Sequence, residues 1–503
     1  AEIEADPGLN PSQRSALRRV TGSQAQFVWG PPGTGKTLLL GHAAAALARQ
    51  ERVLVAATTN GAVDEAAAQI ASVLGRGAVE ANRIVRFGAD FVAGADPSLG
   101  VDAAVTRAEA VRPTTLTRAI EELAERLGVR LDADVSIGAR AAAVQAAARR
   151  TGDPADDALA GRVAAAYQGA VRRAVDEADV VLTTFARLAV REELARARYD
   201  ALLVDEASTA TLPYVLFAAA LARHRAAAFG DFQQLPAVVL SDGEHATRWM
   251  RRDIFRASGV LDSDDGLPSP KDRLCSMLRE QYRMEPAIRS LVGELFYGGR
   301  LQDGRVDPDS ARAPGGPAAG GIAGLVMLDT TGLDPTVSRP GGSRMNEAHL
   351  GALVQLLEAL SRSGAADVAV VAPYRFQVRE LRRRVRSRLG RLAPTELEIA
   401  TIHRFQGREK RVVVFDTVDA PPDRSWFLDE RRNHDFPRML NVALSRSRDL
   451  LVVVGTIEGL RRTLPEEALL NRVVERVCRD GVVLDAHRPG EFARLFAGTP
   501  AGS

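Results

Sequence analysis

The stretch Gly30-Pro-Pro-Gly-Thr-Gly-Lys-Thr37 constrains this chain more than any other. A short apolar run, residues 26–29, precedes it. Leu38, Leu39, Leu40 and an alanine-rich segment to Leu47 follow, so it sits where a strand hands over to a helix. Its glycines let the backbone curl until successive N–H groups point inward, and the helix adds its positive N-terminal end. The residues Gly30, Pro31, Pro32, Gly33, Thr34, Gly35, Lys36 and Thr37 therefore make a nest for a polyphosphate, with Lys36 placed to reach the β- and γ-phosphates and Thr37 to hold Mg²⁺. Taken alone, the loop specifies a nucleoside triphosphate and nothing more.

What surrounds it alternates between strand and helix. Asn10 and Pro11 mark a helix start, with Gln13 about one turn in. A second strand, 52–57, ends in Thr58-Thr59-Asn60 before a helix from 62 to 74. Strands at 179–184, 201–204 and 226–229 also end in polar residues, which predicts a parallel α/β sheet with ligands at the carboxyl ends of its strands. Between about 88 and 178 the pattern changes. Leu116, Ile120, Leu123 and Leu127, then Leu159, Val163, Tyr167, Val171 and Val175, fall at helical spacing and predict a helical insertion. Its Arg140, Arg149, Arg150, Arg172 and Arg173 read either as a solvated face or as a grip on a polyanion. A proline- and glycine-rich stretch, 303–342, reads as a linker region. Beyond it a helix from Asn346 to Leu360 and strands at 368–372, 412–415 and 450–454 predict a second α/β domain.

Composition excludes several alternatives. The chain has 503 residues, 46% of them hydrophobic, which suits two to four domains. Cys275 and Cys478 are the only cysteines and lie far apart, which excludes a cysteine-built zinc site or disulfide framework and fits a reducing, cytoplasmic setting. Apolar runs are strand-sized, far below the ~18 residues of a membrane span. A net charge of +2 does not announce nucleic acid, so a basic groove must come from local arrangement. All but three of the 66 basic residues are arginine, a bias that reads as a GC-rich bacterial genome.

The chemistry gathers further along. Asp205 and Glu206 follow an apolar strand, and two adjacent acids there are the expected partners of a phosphate loop: Asp205 for the metal, Glu206 as base toward the attacking water. Gly230-Asp231-Phe232-Gln233-Gln234-Leu235 closes the next strand, where Gln234 is placed to sense the γ-phosphate. Together with Glu280-Gln281-Tyr282-Arg283-Met284, residues 401–409 (Thr-Ile-His-Arg-Phe-Gln-Gly-Arg-Glu) and residues 440–448 (Leu-Asn-Val-Ala-Leu-Ser-Arg-Ser-Arg), these motifs resemble superfamily 1 helicases in order and spacing. The closest look is to the up-frameshift type, which moves 5′ to 3′.

That resemblance runs from Leu9 to Gly455 and implies two RecA-like P-loop domains with parallel sheets, 1–260 and 261–480, followed by a C-terminal extension at 481–503. It implies ATP and Mg²⁺ as cofactors. Gln13 then reads adenine, Tyr282 stacks on the base, Glu409 meets the ribose, and Arg283 and Arg446 reach the γ-phosphate from the second domain. Thr59, Asn60, Thr184, Pro373, Tyr374, Thr401 and Arg404 face a single strand of DNA or RNA with little sequence preference, while the role of His403 is left open. The up-frameshift type carries a small β-barrel before the adenine-reading glutamine, and this chain begins too close to Gln13 to hold one, so further domains are expected upstream of Ala1 or the barrel is absent. The expected function is ATP-driven translocation and unwinding by a monomer. An ATP-gated clamp that barely unwinds, or the motor part of a larger nuclease or defence protein, are the rival readings.

Overall fold

The computed structural model describes residues 8–496 other than 89, 133, 242, 262–272, 305–323, 334–336, 340–341, 406–407 and 421–426. Most of the linker expected at 303–342 therefore lies outside the described residues, as do Gln406 and Gly407.

Two parallel sheets organise the chain, as two RecA-like α/β units require. The first contains β1 (Ala25–Trp29), β2 (Val53–Ala57), β3 (Ile84–Arg86), β4 (Val180–Thr184), β5 (Tyr199–Val204), β6 (Ala222–Gly230) and β7 (Cys275–Met277), in the order β3-β4-β2-β5-β6-β1-β7. Every residue of β2 and β4 is buried, the mark of strands covered on both faces. Helices α1 (Pro11–Gly22), α2 (Lys36–Leu47) and α3 (Asn60–Leu74) provide part of that cover. The capping box of α1 is complete: Asn10 Oδ1 accepts from Gln13 N at 2.9 Å and Gln13 Oε1 accepts from Asn10 N at 2.9 Å.

The second sheet runs Glu398–Thr401, Val368–Ala372, Lys410–Asp416, Ser447–Gly455, Gly324–Asp329 and Val482–Asp485. Two boundaries drawn from the sequence move as a result. The first sheet extends past 260 to β7, because β1 has a free edge until Phe27 N donates to Leu274 O at 2.7 Å and Leu278 N to Trp29 O at 2.8 Å. The segment expected as a C-terminal extension starts with a strand in register against Val326–Asp329, and Phe492 and Phe496 of the following helix are buried in the second core.

The insertion is a bundle of four longer helices, Val101–Val111, Thr115–Leu127, Ile137–Thr151 and Pro154–Glu177. Leu116, Ile120, Leu123, Val163, Val171 and Val175 are buried at their helical spacing. Arg172 pairs with Asp176 and Arg173 with Glu109, which supports the solvated-face reading for those two. Among the described residues no helix is long and apolar enough to cross a membrane. One buried apolar cluster joins Trp29, Leu202 and Phe232 of the first half to Met327, Val413 and Phe436 of the second.

Candidate functional site

Strand order decides what meets in the cleft. Because β5, β6 and β1 lie side by side, their carboxyl ends bring Asp205-Glu206, Asp231 and the phosphate loop together. Gly30 N donates to Gly230 O at 3.0 Å, tying the loop to the end of β6. The loop's glycines are needed sterically. A Cβ on Gly30 would lie 2.0 Å from Lys36 Cγ, and one on Gly33, whose φ is +73°, would lie 2.5 Å from Arg283 Cβ. Lys36 opens α2 and donates to Gly30 O at 3.1 Å, with Glu206 Oε1 4.0 Å away.

Glu206 adopts a left-handed backbone, φ 50° and ψ 41°, which costs a non-glycine residue about 1–2 kcal/mol. The turn is held by Glu206 N donating to Asp205 Oδ1 at 2.9 Å and Thr209 Oγ1 donating to Glu206 O at 2.8 Å. Asp205 is 2% exposed, and burial, then the charge of Glu206, pushes its carboxyl up to about 7.

The second sheet faces this edge with its opposite end. Glu409 and Arg446 immediately precede the neighbouring strands Lys410–Asp416 and Ser447–Gly455, and Lys410 N donates to Arg446 O at 3.0 Å. In this half the two residues expected at the nucleotide thus sit at the amino ends of the strands, unlike the carboxyl-end rule expected for the first. Arg446 is 7% exposed; its Nη2 donates to Gln234 Oε1 at 2.6 Å. Its Nε is buried and has no hydrogen-bond partner among the described residues. Burial, and after it the charge of Arg283, lowers its pKa to about 10. Arg283 pairs with Glu409 at 2.5 Å.

The resemblance implies that Arg283 comes from the second domain. It is instead carried on the segment leaving β7, whose backbone is clasped to the phosphate loop by Tyr282 N donating to Gly33 O at 3.0 Å. Gln13 is 2% exposed, with its Oε1 spent in the helix cap and its Nε2 donating to Thr34 O at 3.0 Å, so it docks the loop onto α1. Tyr282 is half exposed, and its hydroxyl accepts from Asn10 Nδ2 at 3.1 Å. Asp231, given no role beforehand, lies at 1% exposure. It accepts from Trp29 Nε1 at 3.0 Å, Gln233 N at 3.1 Å, Gln234 Nε2 at 2.8 Å and Tyr297 Oη at 2.6 Å. Hydrogen bonds to a charged group are worth about 1.5–3 kcal/mol each. A buried carboxylate costs several kcal/mol, so it needs most of these four to remain ionised.

The residues expected to face a strand divide. Pro373, Thr401 and Arg404 line one groove of about 640 Å³ together with His403. Its other wall carries Arg375, Arg379, Arg382 and Arg386, one face of the helix Arg375–Arg384 and the turn after it. Sequence reading missed this row, although its four-three-four spacing was available. Tyr374 turns elsewhere: its hydroxyl donates to Asp419 Oδ2 at 2.9 Å and its ring packs against Phe427. In the first half Thr59 is exposed and caps α3, and Asn60 accepts from Arg86 Nη2 at 3.2 Å. Thr184 is buried, its hydroxyl accepting from Arg187 N at 3.4 Å, so it presents no open face to a strand.

Two AAA-domain family models match the chain, over residues 8–242 and 266–458. It is 25% identical over 498 residues to the Regulator of nonsense transcripts 1 homolog of Arabidopsis thaliana, covering 94% of this chain and 34% of that one. It is 24% identical over 484 residues to the ATP-dependent helicase NAM7 of Saccharomyces cerevisiae, covering 93% of this chain and 44% of that one. The Probable helicase MAGATAMA 3 of Arabidopsis thaliana is 28% identical over 274 residues, 52% of this chain and 31% of its own length. The chain thus spans less than half the length of these three curated relatives. Among solved structures, the arterivirus nonstructural protein 10 (helicase) aligns at a TM-score of 0.39 and 12% identity, covering 91% of this chain and 63% of that one.

Proposed function

Because this chain belongs to the up-frameshift-like superfamily 1 helicases, we propose that it is an ATPase that moves 5′ to 3′ along single-stranded nucleic acid and separates duplexes. The observation that carries the reading is the pair of cations at the phosphate loop. Arg446 reaches across from the second sheet with a buried, unpartnered Nε, and Arg283 stands close enough to depress its pKa. Arg283 has Glu409 as its partner, but the buried Nε of Arg446 has none, and an incoming anion would satisfy it.

ATP fits the residues present. The glycine cradle and Lys36 take the β- and γ-phosphates, Gln234 and the two arginines take the γ-phosphate, and Tyr282 offers its exposed ring to the base. Among the described residues no three His, Cys, Asp or Glu side chains converge on one point. Magnesium is assigned, as the resemblance implies, to Thr37 and Asp205, with the nucleotide's own oxygens completing the set. When bound, it neutralises charge developing on the phosphates. Glu206 orients and deprotonates the attacking water. Arg446 belongs to the second half and its partner Gln234 to the first, so a bound γ-phosphate rewards closure of the cleft and its loss removes that reward. Gln13 reads adenine by releasing its bond to Thr34.

The strand is assigned to Thr59 and Asn60 on the first half and to Pro373, Thr401, Arg404 and the arginine row on the second. These groups suit phosphate and sugar rather than base edges, which favours binding with little sequence preference. Replacing Arg375, Arg379 and Arg386 together by alanine is expected to weaken binding to oligo-dT and oligo-U and to lower the slope of log K against log salt by about 2. Fluorescence anisotropy over a salt series measures both. An unchanged slope removes the row from the strand path.

The deciding experiment is the steady-state ATPase rate with no polymer, with single-stranded DNA and with single-stranded RNA, with Lys36→Ala as the blank, followed by strand displacement on tailed duplexes. Stimulation by one polymer with displacement from a 5′ tail is the expected result. Stimulation without displacement identifies a clamp, and no stimulation overturns the motor reading.

A further inference from the structure

A ring of hydrogen bonds joins the two halves, and one of its members belongs to none of the motifs around the cleft. Tyr297 ends the helix Pro286–Tyr297 and is 1% exposed. Its hydroxyl donates to Asp231 Oδ2 at 2.6 Å and accepts from Asn441 Nδ2 at 2.8 Å. Asn441 Nδ2 also donates to Gln233 O at 2.9 Å. On the far side, Asp231 Oδ2 accepts from Gln234 Nε2 at 2.8 Å, and Gln234 Oε1 accepts from Arg446 Nη2 at 2.6 Å. Asn441 and Arg446 lie on the helix Phe436–Ser445 and at its C-cap, so the ring closes through that helix.

An amide has two ends of nearly equal size, and only its partners decide which faces which way. At Gln234 the carboxylate of Asp231 can take only the NH₂ end, which leaves Oε1 for Arg446. Asp231 is set in turn by Tyr297, and Tyr297 by Asn441 of the second half. We propose that Tyr297 is a positioning residue for ATP hydrolysis: it orients the Gln234 amide beside the phosphate site only while the helix Phe436–Ser445 is docked. The inference rests on the assignment of Gln234 to the γ-phosphate made above. Through this link the docking of the second half sets the sensor as well as delivering Arg446.

A tyrosine that merely fills the core predicts something else, namely a lower melting temperature with turnover intact. The test is steady-state ATPase of the full chain over a range of ATP concentrations, with saturating oligo-dT or oligo-U, for wild type, Lys36→Ala, Tyr297→Phe, Asn441→Ala and the Tyr297→Phe/Asn441→Ala double variant, with a thermal melt of each. Tyr297→Phe and Asn441→Ala are each expected to lower kcat about tenfold with KM for ATP within about twofold of wild type, the mark of an interaction made in the transition state. The double variant is expected to be no slower than the slower single one, because both changes cut the same link. Turnover within about twofold of wild type, a KM that rises in step with the fall in kcat, or losses that multiply in the double variant overturn the proposal. If Tyr297→Phe does not fold, Asn441→Ala carries the test alone, since it removes the donor to the same hydroxyl and leaves Asp231 its own partners. A wild type no faster than Lys36→Ala overturns the ATPase reading itself, and this inference with it.

Discussion

Arg446→Ala is expected to lower the maximal ATPase rate about 10³-fold or more, the range of an arginine finger in phosphoryl transfer. The structure gives a reason for so large a figure. Arg446 is buried against Gln234, with one nitrogen unpartnered and a second guanidinium nearby, so its charge is poorly satisfied by the protein alone. Interactions that strengthen as charge develops lower the barrier, whereas those already made in the ground state do not. ATP affinity should therefore change much less than turnover, by about tenfold at most, because Lys36 and the loop remain. Arg446→Lys should not restore the rate, since an ammonium cannot present a planar fork to two oxygens. Stability moves the other way. Burial lowers the guanidinium pKa to about 10 from 12.5, so the charged form is disfavoured in the folded state and the residue subtracts from stability at neutral pH. Alanine should melt no lower than wild type. A rate within about tenfold of wild type would show that Arg446 does not touch the transferring phosphate.

Glu206→Gln should separate binding from chemistry. Glu206 sits 4.0 Å from Lys36 on a left-handed backbone turn that costs any residue but glycine, and the turn aims its side chain toward the loop. Glutamine keeps the shape and loses the basicity. General-base assistance is worth about 10²–10⁴-fold, so turnover should fall by that factor while ATP still binds and still favours the closed cleft. Quenched single-turnover kinetics and a fluorescent-nucleotide titration measure the two quantities on one preparation. If turnover stays within a few-fold of wild type, the attacking water is oriented by another group. Asp205→Asn makes a useful contrast, because it should weaken the magnesium requirement's hold on the site and lower apparent ATP affinity too.

The parts of this molecule that could be read beforehand are those written locally. The phosphate loop, the acid pair after β5 and the cap at Asn10 each depend on residues within a few positions of one another, and the structure places them as their spacing requires. The helical insertion was legible for the same reason. One edge of each sheet was not, because β7 in the first and Val482–Asp485 in the second are short strands recruited across long sequence distances by open edges, and neither carries a pattern of its own. Thr184 shows a different failure. A polar residue at a strand end can face a ligand or cap the next helix, and sequence does not separate the two. Networks were invisible altogether: His349 lies on a leucine-rich helix face, and only the fold reveals that its ring bridges Asp416 at 2.7 Å and Thr330 at 3.0 Å. Asp231 and Tyr297 belong to the same class.

The apolar cluster that runs from Trp29 and Phe232 into Phe436 and Met327 also bears on how the molecule comes apart. Each large side chain in it gains about 1.5–3 kcal/mol from being covered, and part of that cover is supplied by the other half. Each half also keeps a buried core of its own, Val28, Leu40 and Val55 in the first and Val326, Leu353 and Val414 in the second, so the shared cluster couples two units rather than replacing them. Thermal unfolding is therefore expected to be coupled across both, with one calorimetric transition for the pair where two independent lobes would give two. Separating the lobes would expose that shared surface to water, whereas tilting them about it would not, so any opening of the cleft is expected to be a rotation about this joint rather than a parting of the halves.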